Sequence, residues 1–214
     1  MRKSFHILLL LVLLPLVLLS QNRGIDVSKY QGAINWKKVA ATKKVAFVYV
    51  KATEGTTIQD PNYKANIKGA RDAGIPVGSY HLYSSKTTAY QQFENFKSVV
   101  KKDDQDLIPV LDIEAYHSKG LNMERVDKLL ELMEKEYGAK PMIYTSEKVV
   151  EDHFNVKKYK DYPIFIANYH YFPKFRFTLW QFSESERVNG IQGNVDMSEF
   201  NQNASIDDIL LPEK

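Results

Sequence analysis

The stretch Leu107 to Tyr116 reads LIPVLDIEAY and holds the pair of residues best suited to chemistry in this chain. In an extended strand successive side chains alternate, so Val110, Asp112 and Glu114 share one face while Leu111 and Ile113 share the other. Two carboxylates then point the same way at a strand's end. Like charges held that close oppose each other's ionisation, which leaves one carboxyl protonated beside an ionised partner. Cleavage of a glycosidic bond needs such a pair, one group to protonate the leaving oxygen and one to assist at the anomeric carbon. Taken alone, an Asp-x-Glu fits a solvated strand end or an ion pair equally well; its weight comes from what surrounds it.

The surrounding sequence predicts a frame that would gather further groups at the same place. Gly24 to Val27 reads as a first short strand, and Val45 to Ala52, rich in β-branched and aromatic residues, as a buried second one. Asp60-Pro61 has the form of a helix start, with Asp60 as cap and Tyr63, Ile67 and Ala70 along one side. Pro76 to Leu82 predicts a third strand, Thr87 to Lys101 a helix, and the strand carrying Asp112 and Glu114 follows. A helix over Asn122 to Tyr137, with Val126, Leu129, Leu130 and Met133 on one face, is stopped by Gly138 and Pro141, and Met142 to Thr145 makes a fifth strand. Regular alternation of strand and helix predicts a parallel sheet with helical crossovers. Beyond Tyr144 the spacing shortens. Strands at Ile164 to Asn168, Phe177 to Phe182 and Ile191 to Met197 leave no room for helical crossovers, so this part connects by short loops and runs partly antiparallel. The expectation is an α/β fold, a modified TIM-like barrel of about five β/α units followed by three strands.

In such barrels the site is built where the strands end. Those ends carry Asp26, Lys51 with Glu54, Tyr80 with His81, Asp112 with Glu114, Tyr144, Asn168 with Tyr169, Trp180 with Gln181, and Asp196. Tyr80, Tyr144, Tyr169 and Trp180 offer flat faces and polar tips suited to sugar rings. His81 reads as a hydrogen-bonded interior residue. No His-Glu-x-x-His, Gly-x-Ser-x-Gly, phosphate loop or dinucleotide fingerprint is present, and Cys is absent, so carboxylates are the catalytic groups available in number and no metal or cofactor is expected.

Composition sets the compartment. With 44% hydrophobic and 26% charged residues in 214, the chain has enough apolar surface for a core without disulfides. Met1 to Ser20 stands apart, Arg2 and Lys3 preceding a run from Ile7 to Leu19 too short to span a bilayer comfortably. This predicts a signal peptide over residues 1–20, cleaved near Ser20, and a single catalytic domain over 21–214, secreted or periplasmic, monomeric and without stable membrane insertion. Without Arg2 and Lys3 there are 27 basic and 26 acidic residues, or +1, which gives no electrostatic footprint for nucleic acid.

Seven motifs, in order, resemble the family 25 glycoside hydrolases, the secreted lysozymes that act as N-acetylmuramidases. They are Gly24-Ile25-Asp26-Val27-Ser28 with Gln31-Gly32, Val50 to Gly55 (VKATEG), Gly78-Ser79-Tyr80-His81, Leu111-Asp112-Ile113-Glu114, Ala167-Asn168-Tyr169, Trp180-Gln181-Phe182 and Val195-Asp196. The resemblance implies a modified β/α barrel and hydrolysis of the β-1,4 bond between N-acetylmuramic acid and N-acetylglucosamine in peptidoglycan. It also implies Glu114 as general acid, with Asp112, Asp26 and Asp196 as acidic partners. Glu54, Tyr80, Tyr144, Tyr169, Trp180 and Gln181 are the expected substrate contacts. The chain departs from the family at Phe165, where Trp is usual, and at Ser198, where Asn is frequent; neither change removes a carboxylate. A silent peptidoglycan-binding module and a hydrolase of chitin-like polymers are the alternative readings.

Overall fold

The computed structural model describes residues 22–114 and 121–212, so the expectation for residues 1–20 lies outside the described residues. Eight strands close into a barrel. In chain order they are β1 (Arg23–Val27), β2 (Phe47–Glu54), with the two-residue β3 (Ile58–Gln59) folded back on it, β4 (Val77–Leu82), β5 (Val110–Ile113), β6 (Met142–Ser146), β7 (Ile164–Ala167), β8 (Leu179–Glu186) and β9 (Val195–Phe200). Neighbours run β1-β9-β8-β7-β6-β5-β4-β2, and pairing of β1 with β2 closes the ring. Every barrel pairing is parallel except those of β9, which lies antiparallel between β8 and β1.

Alternation along the strands separates two cores. Outward residues such as Ile25, Val48, Val77, Leu111, Ile143 and Ile164 meet the helices in one buried cluster. Inward residues Phe47, Tyr49, Val110, Met142, Phe165 and Leu179 fill the barrel in another. The rings stack tightly inside, with Phe47 and Phe200 centroids 5.0 Å apart. Two inward positions must lack a side chain for this to happen. A Cβ on Gly24 would lie 2.1 Å from the Phe47 ring, and one on Gly78 would lie 2.4 Å from the Tyr49 ring.

The helices are α1 (Trp36–Ala41), α2 (Tyr63–Asp72), α3 (Ala89–Val99), α4 (Met123–Tyr137) and the single turn α5 (Glu147–Val149). The α4 helix forms as its sequence dictates. The Asn122 side chain accepts from Arg125 N at its start, Val126, Leu129, Leu130 and Met133 are buried, and Gly138 ends it with φ 78°. Burial of Leu129 and Leu130 contributes roughly 2 kcal/mol each before the entropy of ordering them. In α3, Thr88 and Gln91 form the reciprocal N-terminal cap.

Two expectations need correction. The helix expected from Asp60 begins at Tyr63 with Asn62 as cap, because Asp60 is engaged elsewhere: its carboxylate accepts from Lys29 N and Asn62 N, both at 2.8 Å. The fifth crossover, between β6 and β7, contains α5 and short π and 3-10 turns in place of a full helix. The last part does run partly antiparallel, as expected: β9 is antiparallel, whereas β7 and β8 pair in parallel across an irregular link over residues 168–178. That link is held by side chains: Asn168 donates to Glu147 at 2.8 Å, and Glu147 accepts from Lys174 N at 2.6 Å.

Candidate active site

The strand ends converge on a hollow of about 90 Å³ at the mouth of the barrel, lined by Asp26, Tyr80, Asp112, Glu114, Gln181 and Asp196, among others. Each residue reaches it by the same alternation that fills the barrel below. On β1, Gly24 is followed two residues later by Asp26; on β5, Val110 is followed by Asp112; on β8, Leu179 is followed by Gln181. Because β9 runs the other way, its mouth residue comes first, and the register sets Asp196 directly across from Asp26. Asp112 lies across from Tyr144 and Lys51 across from Tyr80. Glu114 is the residue just past β5 and is half-buried, whereas Asp112 is 8% exposed.

Gln181 ties the mouth together. Its amide nitrogen donates to Asp26 Oδ2 at 2.9 Å, and its amide oxygen accepts from the Tyr144 and Tyr169 hydroxyls at 2.8 and 2.6 Å. The amide therefore has both ends occupied and fixes two tyrosines and one carboxyl relative to each other. Lys51 pairs with Glu54 at 2.8 Å beside the same group. A second, fully buried network stands behind: Thr53 Oγ1 lies 2.7 Å from His81 Nδ1, and His81 Nε2 lies 3.1 Å from the Gln92 amide oxygen. Burial pushes His81 down to about 4, so the ring is neutral at ordinary pH and joins the strands as a hydrogen-bonding group.

Burial makes ionisation of these acids costly. Asp26 is pushed up to about 8, first by burial and then by the facing charge of Asp196, with the Gln181 hydrogen bond working against the rise. Asp196 is raised to about 6 by burial and by Glu184. Asp112 is driven well above the usual carboxylate range by burial and by Glu114, while the Lys51 ammonium pulls it back. Its Oδ1 is buried with no hydrogen-bond partner among the described residues. A buried polar atom left unpaired costs about 1–3 kcal/mol.

Asp26, Asp112, Glu114, Asp196, Tyr80, Tyr144 and Gln181 are thus brought to one hollow, and Tyr169 joins through its bond to Gln181. Glu54 sits beside it as the partner of Lys51. Trp180 is placed differently: neighbouring Gln181 on β8, it takes the opposite face, donates to Asn168 O at 2.7 Å and packs edge-on to Phe172. Tyr49, which the sequence reading did not single out, forms the apolar base of the hollow together with Val110 and Phe165. The signal for Tyr49 was available, since it shares the inward face with Lys51. Among the described residues no cluster of side chains is arranged to hold a metal ion.

A second, connected groove of about 290 Å³ shares Asp26, Asp112, Glu114 and Asp196 and extends past Lys51 to Ser28, Tyr30 and Gln31. The site is therefore elongated, with its acids gathered where the hollow and the groove meet.

Against known proteins, the sequence profile of glycosyl hydrolases family 25 matches residues 25–191. Lysozyme M1 of Streptomyces globisporus is 32% identical over 206 residues, covering 86% of this chain and 69% of that protein. The crystal structure of the bacterial lysozyme from Streptomyces coelicolor superposes with a TM-score of 0.76 at 30% identity, over 88% of this chain and 95% of that one. A family 25 glycosyl hydrolase from Bacillus anthracis gives 0.76 at 28% identity, over 86% and 90%. A barrel with five acids around its mouth, a matching profile over most of its length and these structural relatives place the chain in glycosyl hydrolases family 25, and it is a glycoside hydrolase.

Proposed function

We propose that this protein is a lysozyme that hydrolyses the β-1,4 bond between N-acetylmuramic acid and N-acetylglucosamine in peptidoglycan, with Glu114 as the acid. The observation that carries this reading is the Asp112–Glu114 pair at one strand end, with Asp112 buried and one of its oxygens unpartnered. Glu114 protonates the leaving glycosidic oxygen as the bond to the anomeric carbon breaks. The acetamido carbonyl oxygen of the N-acetyl sugar attacks that carbon, and the Asp112 carboxylate accepts the acetamido N–H proton, giving an oxazoline. Water then attacks the anomeric carbon and passes a proton to Glu114, while Asp112 returns its proton to the nitrogen as the ring opens. Both carboxyls end as they began. An unpartnered buried oxygen suits the N–H contact, and the Lys51 ammonium opposes the rise that burial and Glu114 impose on Asp112. Asp26, held by Gln181, and Asp196, set opposite it by register, keep the wall of the site polar. Tyr80, Tyr144 and Tyr169 contact the sugars.

The basic residues and apolar run before Ser20 support export to the periplasm or beyond, where peptidoglycan is found. Product analysis tests the reading. Incubation with purified peptidoglycan is expected to yield new reducing ends carrying N-acetylmuramic acid, with chitin oligomers cleaved far more slowly. Reducing ends carrying only N-acetylglucosamine, or faster cleavage of chitin oligomers, would exclude the muramidase.

A further inference from the structure

Tyr30 is the most exposed large apolar residue described in the chain, at 79%, and it stands on the wall of the groove that holds Asp112 and Glu114. An aromatic ring left in water is ordinarily a sign of a loose surface turn, but this turn is fixed. Residues Lys29–Gln31 form a single 3-10 turn capped reciprocally by Ser28 and Gln31, with Ser28 N donating to the Gln31 side chain at 2.8 Å. The buried carboxylate of Asp60 holds Lys29 N at 2.8 Å. Gln31 reaches across to Asn194 O at 3.2 Å, and Asn62 donates to Gly32 O at 3.2 Å. Connections to the β3–α2 and β8–β9 loops therefore set the backbone of a residue whose own ring contributes almost nothing to the core.

From this geometry we infer that Tyr30 is the platform of a glycan subsite, its ring face taking the apolar face of a pyranose next to the sugars at the scissile bond. The inference rests on the reading of the hollow as a glycan-hydrolysing site and adds where the strand runs on leaving it: along the groove past Lys51 to the β1–α1 turn. A rigid phenol suits this task, because its area is large and little conformational freedom is lost on contact. Lys29, whose ammonium lies 5.4 Å from the centre of the ring, leaves the ring's other face for the ligand.

The test measures binding and turnover separately, using a hexasaccharide of alternating N-acetylglucosamine and N-acetylmuramic acid. In the Glu114→Gln background, calorimetry is expected to show Tyr30→Ala raising Kd about tenfold and Tyr30→Phe changing it less than about twofold. In the active protein Tyr30→Ala raises KM to a similar extent and leaves kcat and the melting temperature unchanged. Equal affinity of Tyr30→Ala and its parent overturns the subsite, as does a loss shared by Tyr30→Phe, which would make the contact a hydroxyl bond. A fall in kcat at constant KM, or no binding of the hexasaccharide by Glu114→Gln, overturns it also. Tyrosine-dependent binding without release of reducing ends by the unaltered protein would remove the hydrolase reading and leave the subsite standing.

Discussion

The floor and the mouth of this barrel are made by the same strands, two residues apart, and they differ in almost every physical respect. On the floor Phe47, Val110, Met142, Leu179 and Phe200 are buried against one another, and space is shared so closely that Gly24 and Gly78 cannot carry a side chain. At the mouth the next inward positions are Asp26, Lys51, Tyr80, Asp112, Tyr144 and Gln181. The floor stabilises by area and packing, and the mouth carries acids that burial has made reluctant to ionise. The difference shows that facing direction comes from alternation, while chemistry comes from height along the strand. It also predicts that damage to each level has a distinct signature.

The largest separation is expected from Asp112→Asn, which keeps the shape of the side chain and removes the carboxylate. Turnover on peptidoglycan should fall about a thousandfold while the far-ultraviolet spectrum and melting temperature are retained; turnover near that of the unaltered protein would take Asp112 out of the mechanism. Phe47→Ala does the reverse. It empties part of the floor and should lower the free energy of unfolding by roughly 3–5 kcal/mol in a denaturant titration, with turnover per folded molecule nearly unchanged.

Asp26 links the two levels through pH. Raised to about 8 in the folded protein, it keeps its proton between pH 4 and 8 where the unfolded chain has released one, so its contribution to stability is complete at low pH and is lost as pH rises towards 8. Asp26→Asn should therefore flatten the decline in denaturant midpoint between pH 5 and 8; an unchanged decline would mean Asp26 is not its source. His81 acts in the opposite sense, costing stability as pH falls below 6.5 towards its folded value of about 4. The smallest effect is expected from Lys51→Met. Without that ammonium Asp112 is harder to ionise, so the acidic limb of the kcat profile should move to higher pH while the alkaline limb stays; no displacement would dissociate Lys51 from Asp112.

Much of this was legible in the sequence, and the rest has a physical reason for being hidden. The apolar spacing and ends of α4, the β-branched and aromatic run of β2 and the alternation in β5 read correctly because local sequence decides them. Asp60 misled because Asp-Pro looks the same whether the Asp caps its own helix or accepts from a distant backbone; only the arrival of Lys29 N distinguishes them. The parallel pairing of β7 with β8 was hidden because short links normally make hairpins, and here Glu147, Asn168 and Trp180 hold an irregular connection in place. Among site residues, Asp26 follows from a strand's carboxyl end, whereas Asp196 lies at the start of β9 and reaches the mouth because β9 is antiparallel. Trp180 shows the limit of motif reading, since its neighbour Gln181 faces the hollow and it therefore cannot.

The measurement that bears most directly on the mouth as a catalytic centre is release of reducing ends from purified peptidoglycan by the unaltered protein beside Glu114→Gln. Steady release with N-acetylmuramic acid at the new ends is expected from the first, and a rate lower by about a thousandfold from the second, with both equally folded. Equal release by the two proteins would contradict this expectation.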